Sequence, residues 1–326
     1  MHLIASLGGH LELLEAGSPA LGALRQTWIT SEGARADGLR AQGKRVLTLP
    51  RLDRGTLGLR PVLAGIVLAL RERPGIVVSS GAGLAVPFCV VARALGARIV
   101  FLETMARVRS GSSSGRLLAR LGARVLVQWA DLLETYPQAV VCQPLLLRDL
   151  PDLQPGGTGT FVTVGSHDAG FDRMLEAVDE AAASGVLPQP VLVQRGVSTY
   201  VPRAATAVDF LSPTEFQEQV AKAEVVVTHG GAGAIATALR AGRRPLVFAR
   251  DPALGEHVDA HQAELVDRLS ELRLVVPVTG ALGAEQVAAA REPSPARSTG
   301  ALRSTTALPT IPDTLSEVLA TLRPAG

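Results

Sequence analysis

The sequence predicts an α/β protein built from two doubly wound, parallel-sheet domains. Its 326 residues suffice for about two domains. Short runs of β-branched residues alternate with longer helical stretches, which is typical of βαβ units. The alternation stops once, at the Pro- and Gly-rich segment from Pro151 to Gly159, and then restarts. Two domains of this class place a ligand-binding cleft at the carboxyl ends of their sheets.

Short apolar runs predict the strands, and the longer stretches between them predict the helices. In the first half, strands are predicted at His2–Ser6, Thr27–Thr30, Arg45–Leu49, Ile76–Ser79, Arg98–Leu102 and Val125–Val127, and helices at Leu11–Gly17, Gly33–Gln42, Gly58–Glu72, Ala82–Leu95 and Gly115–Leu121. In the second half, strands are predicted at Thr160–Val164, Pro190–Gln194, Ala207–Phe210, Val225–Thr228, Leu246–Ala249 and Leu274–Pro277, and helices at Phe171–Ser184, Pro213–Ala223, Gly233–Ala241, His257–Leu269 and Ala284–Arg291.

These elements divide the chain into four parts. Residues 1–150 form an N-terminal domain, 151–159 a linker, and 160–291 a C-terminal domain. Residues 292–326 form a flexible tail because Pro, Ser, Thr and Ala dominate its first part. The tail ends in a helix, Asp313–Leu322, which begins with a plausible Asp cap.

Charge is distributed unevenly along the chain. Residues 1–150 carry 18 Lys/Arg against 10 Asp/Glu, a balance of +8, whereas the remainder carries 14 against 20, a balance of −6. The basic half is expected to meet an anionic ligand or surface. Nucleic acid is disfavoured because aromatic residues are not interleaved with the basic ones. No signal peptide is expected, and Val62 to Leu70 is too short an apolar run to span a bilayer.

The strongest local motif is the glycine-rich turn His229-Gly230-Gly231-Ala232-Gly233, which follows a buried strand and opens a helix. Glycines let backbone N–H groups and a helix N-terminus approach a phosphate. A tight turn without a ligand remains the alternative. A second strand-to-turn junction, Val162 to Asp168, could bring Ser166 to the same phosphate, although Ser166 could equally cap the next helix.

A polar cluster follows the next strand and contains Glu256, His257, Asp259, His261 and Gln262. It suits recognition of sugar hydroxyls, since Gln both donates and accepts hydrogen bonds. His257 and His261 could chelate a metal, but no third ligand stands at metal spacing, so no metal is predicted. The other interpretation is a solvated helix N-terminus with Asp259 in its first turn.

In the first half, three strand ends carry candidate functional residues. Ser6 to Glu12 holds His10, a general-base candidate, and Glu12. The turn from Ser79 to Ala85 has the form of a phosphate-binding turn. Phe101 to Arg116 combines a carboxylate, two arginines and several hydroxyls, a set that suits a diphosphate, although a solvated Ser/Gly loop is the alternative.

The second half resembles the C-terminal domain of glycosyltransferase family 28, through F-V-T-V-G-S, V-V-V-T-H-G-G-A-G-A-I and G-E-H-V-D-A-H-Q-A-E-L. Within that family it is similar to the catalytic subunit of the two-subunit dolichol-linked N-acetylglucosamine transferase. The first half resembles the partner subunit of that enzyme, through L-G-G-H-L-E-L, S-S-G-A-G-L-A-V-P-F, I-V-F-L-E-T-M-A-R-V-R-S and V-L-V-Q-W-A-D-L. The two are fused here, and similar subunit pairs belong to bacterial exopolysaccharide and capsule synthesis.

This resemblance implies a GT-B fold with two Rossmann-like domains facing a cleft. It implies an inverting, metal-independent enzyme that needs no cofactor, since the UDP-sugar is a substrate. The acceptor would be a polyprenyl-diphosphate-linked saccharide at the inner, cytoplasmic face of the cell membrane. The partner subunit of that enzyme has an N-terminal membrane anchor, whereas this sequence starts at the first predicted strand. Attachment is therefore expected to rest on the basic face and on Leu57–Leu70, which Arg54, Arg60, Arg71 and Arg73 flank.

The resemblance also assigns site residues. Donor-binding positions are Gly165, Ser166, Phe210, Leu211, His229, Gly230, Gly231, Ala232, Gly233, Glu256, His257, Asp259 and Gln262. Acceptor-binding positions are Gly8, Gly9, Glu12, Gly81, Arg107 and Arg109, with His10 as first and Glu103 as second candidate for the catalytic base. Thr237 stands where the family often has a ribose-binding Glu.

Three alternative functions remain open, and a fourth is disfavoured. A glycosyltransferase acting on a soluble small molecule would share this fold and donor. A nucleotide-sugar epimerase would share the architecture, and a non-catalytic nucleotide-sugar-binding protein would be compatible with Thr237. A NAD-dependent oxidoreductase is disfavoured, because no acidic residue ends a second strand at the spacing such enzymes use.

Overall fold

The computed structural model describes residues 1–22, 24–50, 58–81, 83–153, 156–166, 169–257, 260–293 and 304–322. The chain divides into two units. Unit 1 contains Met1–Leu145 and Leu308–Gly326, and unit 2 contains Leu146–Ala307.

Unit 1 is built on a parallel sheet of seven strands. Its elements are β1 (His2–Ala5), α1 (Gly9–Gly17), β2 (Thr27–Ser31), α2 (Ala34–Ala41), β3 (Arg45–Leu49), α3 (Leu59–Glu72), β4 (Ile76–Gly81), α4 (Ala85–Ala94), β5 (Arg98–Leu102), α5 (Ser113–Arg120), β6 (Arg124–Val127) and β7 (Val140–Val141). The strand order is β3-β2-β1-β4-β5-β6-β7. Since the order reverses between β1 and β4, the carboxyl ends of these two strands border the crevice in which such sheets bind ligands.

Unit 2 repeats this arrangement with six parallel strands. Its elements are β8 (Thr160–Thr163), α6 (Asp172–Ala183), β9 (Val191–Gln194), β10 (Thr206–Val208), α7 (Pro213–Lys222), β11 (Val225–His229), α8 (Ala232–Arg240), β12 (Leu246–Phe248), α9 (His261–Glu271), β13 (Val276–Pro277) and α10 (Ala284–Arg291). The strand order is β10-β9-β8-β11-β12-β13, so the reversal falls between β8 and β11.

Both faces of the second sheet are buried. Along β8, Phe161 packs into one apolar core and Val162 into the other, and Val226 and Val227 alternate in the same way along β11. Successive side chains of a strand point to opposite faces, so a strand covered by helices on both sides needs apolar residues at every position. The short continuous apolar runs in the sequence therefore become central strands.

The prediction of two doubly wound α/β domains is confirmed. The structure corrects three details of the elements. A short strand, β7, pairs with β6 and was not predicted. The predicted helix from His257 begins at His261 instead, after a 3-10 turn at Pro252–Leu254. The strand predicted from Leu274 is reduced to Val276–Pro277.

The described residues of the predicted linker, 151–153 and 156–159, belong to unit 2. The Thr158 N–H donates to the Lys222 carbonyl at 2.9 Å. A side chain at Gly157, where φ is +98°, would collide with the backbone of Lys222 and Ala223. In the predicted tail, residues 294–303 and 323–326 lie outside the described residues.

The last helix, α11 (Ile311–Leu322), packs on unit 1. Ile311 and Leu315 are buried against α1, where a Cβ at Gly17 would lie 3.3 Å from Leu315 Cδ2. The backbone just before the helix is also attached to unit 1, because Gln143 N–H donates to the Pro309 carbonyl at 2.8 Å. Within the described parts of the chain, no helix is both long and apolar enough to cross a membrane.

We expect Leu315→Ala to lower the free energy of unfolding of unit 1 by about 2–5 kcal/mol, because it removes a fully buried side chain and leaves a cavity. Both tryptophans, Trp28 and Trp129, are buried in unit 1, so tryptophan fluorescence during chemical denaturation measures this unit. The exposed Glu317→Ala on the same helix is the control, with an expected change within about 0.5 kcal/mol. Equal effects of the two substitutions would contradict the packing of α11 on unit 1.

Candidate functional site

In unit 2, the residues predicted to bind a phosphate lie at the reversal of strand order. The chain leaves β8 through Val164, Gly165 and Ser166, and it leaves β11 through Gly230 and Gly231 before α8 begins. β8 and β11 pair directly, from Val225 opposite Thr160 to Thr228 opposite Thr163. The structure therefore brings both predicted turns to one sheet edge.

The imidazole of His229 lies between these two turns. A Cβ at Gly165, where φ is +80°, would lie 2.6 Å from His229 Nε2, and a Cβ at Gly231 would overlap the same nitrogen. Real Cβ atoms do not approach this closely, and L-residues rarely adopt the backbone of Gly165. Glycine is thus required at both positions by the packing of a neighbouring side chain, whether or not a phosphate binds.

The N-terminus of α8 is open to ligands. Ser166 and Gly233 are exposed, Ala232 is half-buried, and a Cβ at Gly233 would meet no heavy atom within 4 Å. The first N–H groups of a helix lack intrahelical acceptors and carry a positive partial charge. This edge of unit 2 can therefore bind an anionic group such as a diphosphate.

Side chains from the neighbouring strands border the same edge. The Leu211 N–H donates to Gln194 Oε1 at 3.2 Å, and Gln194 Nε2 donates to Thr163 Oγ1 at 3.2 Å. Phe210 is 53% exposed, and a Cβ at Gly196 would lie 3.9 Å from its ring and 3.1 Å from the Gly165 carbonyl oxygen. An accessible aromatic ring thus stands next to the candidate anion site, where a nucleobase could contact it.

Thr237 occupies the second turn of α8. Its hydroxyl donates to the Gly233 carbonyl at 2.9 Å, so only its lone pairs are available to a ligand. A carboxylate could accept from two ribose hydroxyls, whereas this hydroxyl offers a single oxygen.

Glu256 belongs to a part-buried ion pair. Its carboxylate accepts from Arg173 Nη2 at 2.8 Å and Nε at 3.0 Å, and from the Asp251 N–H at 2.8 Å. Burial acts to raise the pKa of Glu256, but these hydrogen bonds and the charges of Arg173 and Arg250 outweigh it, so the pKa is lowered. Glu256 is therefore an ionised link between the loop after β12 and α6.

The side chain of Gln262 packs against the glycine turn at Gly230. It lies in the first turn of α9, is 4% exposed, and accepts from the Arg250 N–H through Oε1 at 3.2 Å. A Cβ at Gly230 would lie 2.9 Å from Gln262 Cβ. Because Oε1 is occupied, the amide nitrogen is the part of this side chain suited to donate to a sugar hydroxyl.

The two histidines of this cluster lie edge to face, with ring centroids 4.6 Å apart. His257 precedes α9 rather than lying on it, which corrects the predicted helical pair. Asp259 lies outside the described residues. Within the described ranges, no three His, Cys, Asp or Glu side chains are grouped so that they could hold a metal ion.

Unit 1 presents its predicted residues at the equivalent sheet edge. Gly8, with φ of +84°, caps α1 after β1. Both Gly8 and Gly9 are exposed, and a Cβ at either position would meet no heavy atom within 4 Å. Gly81 ends β4, the strand next to β1, and is buried with φ of +94° against the ring of Phe101. The open N-terminus of α1, at Gly8 and Gly9, therefore leaves space for a ligand at this edge.

His10 is oriented by the end of β4. His10 Nδ1 lies 2.7 Å from the Ser80 carbonyl oxygen, which can only accept, so Nδ1 carries the proton and Nε2 keeps its lone pair. Ser80 Oγ donates in return to the His10 carbonyl at 2.7 Å. Burial lowers the pKa of His10, against raising effects of the Ser80 bond and Glu103, and Arg107 lowers it further. The ring is thus held neutral and fixed, as a general base requires.

Glu103 is fully buried and its carboxylate has three donors. These are the N–H of Thr104 at 3.1 Å, the N–H of Ser112 at 2.9 Å and the hydroxyl of Tyr136 at 2.8 Å. Burial raises the pKa of Tyr136, and the charge of Glu103 raises it further, so the phenol stays protonated as a donor. These contacts favour a role in holding the loop from Thr104 to Ser112 over a role as a base.

The loop held by Glu103 carries the two predicted acceptor arginines. Arg107 is half-buried and its charge acts on His10, and Arg109 is exposed. Glu12 is half-buried on α1. Since β1, β4 and β5 are neighbours in the sheet, the structure brings His10, Gly81 and this loop to one edge of unit 1.

Sequence reasoning missed four supporting residues: Ser80, Gln128 and Tyr136 in unit 1 and Arg250 in unit 2. Gln128 Nε2 donates to the Glu103 carbonyl at 2.9 Å, and Gln128 Oε1 accepts from the Leu145 N–H at 2.8 Å. Arg250 is 1% exposed. Its signal in the sequence is a lone arginine immediately after the buried run L-V-F-A, a position where a charge is costly.

Comparisons with known proteins match the two halves separately. Residues 57–145 match the family model "Oligosaccharide biosynthesis protein Alg14 like", and residues 160–288 match "Glycosyltransferase family 28 C-terminal domain". One chain thus holds a segment similar to the Alg14-like family, followed by a segment similar to the C-terminal domain of glycosyltransferase family 28.

Curated relatives resemble the Alg14-like part. The UDP-N-acetylglucosamine transferase subunit ALG14 of Mus musculus is 40% identical over 79 residues, which are 22% of this chain and 36% of that protein. The subunit of the same name from Candida albicans is 26% identical over 162 residues, 42% of this chain and 73% of that protein. The chain spans about a third of the length of the mammalian relatives that it matches.

Solved structures resemble the fold of the chain. MurG from Acinetobacter baumannii gives a TM-score of 0.63 at 15% identity, covering 98% of this chain and 99% of MurG. The glycosyltransferase SnogD from Streptomyces nogalater gives 0.61 at 18% identity, covering 98% and 99%. The two Rossmann-like units therefore have the fold of GT-B glycosyltransferases.

We expect Gly231→Ala and Gly233→Ala to change stability in opposite directions. The first places a methyl group against His229 and should lower the free energy of unfolding of unit 2 by about 1–3 kcal/mol. The second adds a methyl group in open space within α8 and should raise it by about 0.5–1 kcal/mol, because it reduces the entropy of the unfolded chain. Calorimetric unfolding of both variants measures the difference, and a destabilised Gly233→Ala would contradict the open helix N-terminus.

Proposed function

We propose that the chain is an inverting glycosyltransferase. It transfers a sugar from a UDP-sugar to a polyprenyl-diphosphate-linked saccharide during the synthesis of exopolysaccharide or another cell-surface glycan. The observation that carries this proposal is the combination in one chain of an Alg14-like segment and a family 28 C-terminal domain. The unit that holds each of them has an open helix N-terminus at its strand-order reversal.

Unit 2 would bind the donor. The diphosphate would contact Gly165, Ser166 and the N-terminus of α8, whose N–H groups can stabilise the negative charge of the departing UDP. The uracil would lie near Phe210 and Leu211, and the Gln262 amide would donate to the sugar. Helix dipole and backbone donors supply the stabilisation that a divalent metal supplies elsewhere, which supports a reaction without a metal.

Unit 1 would bind the acceptor and supply the base. His10 Nε2 would take the proton of an acceptor hydroxyl as that oxygen forms a bond to the anomeric carbon. The bond from that carbon to the donor diphosphate breaks in the same displacement, so the configuration is inverted and UDP leaves with the electron pair. Arg107 and Arg109, on the loop held by Glu103, suit the acceptor diphosphate because arginine pairs well with phosphate oxygens.

An apolar stripe on α3 supports attachment to the inner membrane face. Its members are exposed and recur at helical spacing: Leu59 (76% exposed), Leu63 (54%), Val67 (60%) and Leu70 (49%). Arg60, Arg71 and Arg73 are exposed on the same segment, whereas its single acid, Glu72, is paired with Arg45 and His2. An apolar face bordered by exposed positive charge suits an anionic bilayer surface. Arg54 and Leu57, which the sequence also places in this segment, lie outside the described residues.

Turnover with a panel of UDP-sugars tests the proposal. UDP release that requires a polyprenyl-diphosphate-linked acceptor, with a product of inverted anomeric configuration, would support it. Release with a soluble acceptor alone would indicate the small-molecule glycosyltransferase, and conversion of the donor without acceptor would indicate an epimerase. Binding of UDP without turnover on any acceptor would indicate a non-catalytic binding protein, the alternative that Thr237 favours.

We expect His10→Gln to reduce kcat by about 10²–10⁴-fold while the KM for the UDP-sugar stays within about twofold of the original, because the base is removed from the chemical step only. Since burial lowers the pKa of His10, the acid limb of the wild-type pH–rate profile should lie below about pH 6.5, the ordinary value for histidine. Steady-state kinetics across pH 4.5–9 in steps of about half a unit measure both effects. Turnover by His10→Gln at the wild-type rate would rule out this base.

We expect the double substitution Leu63→Glu and Val67→Glu to abolish flotation with anionic vesicles, because two carboxylates replace apolar contacts and repel anionic headgroups. Leu254→Glu is the matched control, since Leu254 is also exposed (61%) but lies in unit 2. The control should float like the unsubstituted chain. Flotation that is unaffected by the double substitution would exclude α3 as the membrane-binding surface.

A further inference from the structure

Arg250 is a fully buried arginine two residues after the end of β12, at the carboxyl edge of the second sheet. Its guanidinium lies 4.6 Å from the centroid of the Phe171 ring. Nη2 donates to the Val164 carbonyl at 3.1 Å, and Nη1 donates to the carbonyls of Gly170 at 2.7 Å and Glu256 at 3.3 Å. One side chain thus joins the turn after β8, the entry to α6 and the loop before α9.

No carboxylate oxygen of the described residues lies within ion-pair distance of this guanidinium. The nearby Glu256 carboxylate is occupied by Arg173, and Asp251 is exposed, with its carboxylate accepting from the Ala253 N–H. Arg250 Nε is buried and has no hydrogen-bond partner among the described residues. The Glu256 carboxylate acts on Arg250 from beyond this distance and already pairs with Arg173, so one negative charge serves two guanidinium groups. Burying the second guanidinium without a carboxylate of its own opposes folding.

We infer that Arg250 is a positioning residue for the diphosphate of the donor, an inference that rests on the proposed function. The turn that it holds carries Gly165 and Ser166, and the Ser166 side chain is exposed toward solvent. The guanidinium that holds this turn also adds positive charge next to the site proposed for the anionic diphosphate.

Arg250 acts on the turn through a single peptide group. The Val164 carbonyl accepts from Arg250, and the N–H of the same planar peptide, that of Gly165, donates to Thr163 Oγ1 at 3.1 Å. Both ends of this peptide are held by hydrogen bonds, so the orientation of the backbone that leads to Ser166 is restrained at this point. A turn that is already ordered loses less entropy when a ligand binds, and this increases affinity for the group that it contacts.

If Arg250 positions the diphosphate, its loss should weaken the binding of UDP more than the binding of uridine, which has no diphosphate. In Arg250→Met the charge and the carbonyl contacts are lost, so the affinity for UDP should fall by about tenfold or more, as expected when charged hydrogen-bonding support is removed. The affinity for uridine should stay within about twofold, because the edge at Phe210 and Leu211 does not contact Arg250. Arg250→Lys keeps the charge without the planar guanidinium and should restore part of the UDP affinity.

Arg244→Met is the matched control. Arg244 lies at the opposite end of β12, is half-buried, and donates to the Ala289 carbonyl at 3.1 Å, away from the phosphate turn. Its loss should reduce the temperature of unfolding but leave the ratio of UDP to uridine affinity unchanged.

Isothermal titration calorimetry of the full chain with UDP and with uridine tests the inference. If the unsubstituted chain does not bind UDP, the proposed function fails, whatever Arg250 does. If it binds UDP and Arg250→Met leaves the UDP to uridine ratio unchanged, the inference about Arg250 is overturned and the proposed function stands. A lack of cooperative unfolding in both Arg250 variants would also overturn it, since the side chain would then serve folding only.

Discussion

The reversal of strand order in each parallel sheet is the constraint on which both candidate sites depend. Parallel strands bring all their carboxyl ends to one edge, and crossover connections on opposite faces leave a crevice where the order reverses. In unit 1 the reversal separates β1 from β4, and in unit 2 it separates β8 from β11. Residues far apart in sequence, such as His10 and Ser80, or Gly165 and His229, become neighbours for this reason alone.

Glycine in these turns has two physical roles that the sequence does not distinguish. At Gly165 and Gly231 the space of a side chain is filled by the His229 imidazole, so glycine is needed for packing within unit 2. At Gly8, Gly9 and Gly233 the space is empty, so glycine leaves room for something that is not part of the chain.

Most of the fold could be predicted from the sequence because central parallel strands require continuous apolar runs. The β5 strand, Arg98–Leu102, was predicted to the residue for this reason. The edge strand β7 was missed because two partly exposed valines give no periodic signal. The start of α9 was misplaced because a 3-10 turn at Pro252–Leu254 precedes it, and polar residues such as Glu256 resemble a helix N-terminus in either case.

The positions of the candidate residues at strand ends could be predicted from motifs, whereas their hydrogen-bond partners could not. The structure places His10, Glu103 and the glycine turns at the carboxyl ends of strands, where the motifs predicted them. Their roles in binding and catalysis stay predictions. Their supports were not visible, because Ser80 acts through its carbonyl, a group that every residue has, and Tyr136 reaches Glu103 from 33 residues further along the chain. A sequence pattern records residue types, whereas these contacts depend on tertiary proximity.

The two units bury charge in different ways, and the difference bears on their roles. In unit 1, Glu103 is satisfied by donors from its own chain, so its negative charge is stable without a ligand and serves to order a loop. In unit 2, the Arg250 guanidinium contacts carbonyl oxygens and an aromatic face, and the Glu256 carboxylate that acts on it also pairs with Arg173. Dipoles stabilise a buried ion less completely than a counter-ion does. In unit 2, two guanidinium groups, those of Arg173 and Arg250, share the Glu256 carboxylate. Such an excess of positive charge next to a site suits an anionic ligand better than a site in which every charge is already paired.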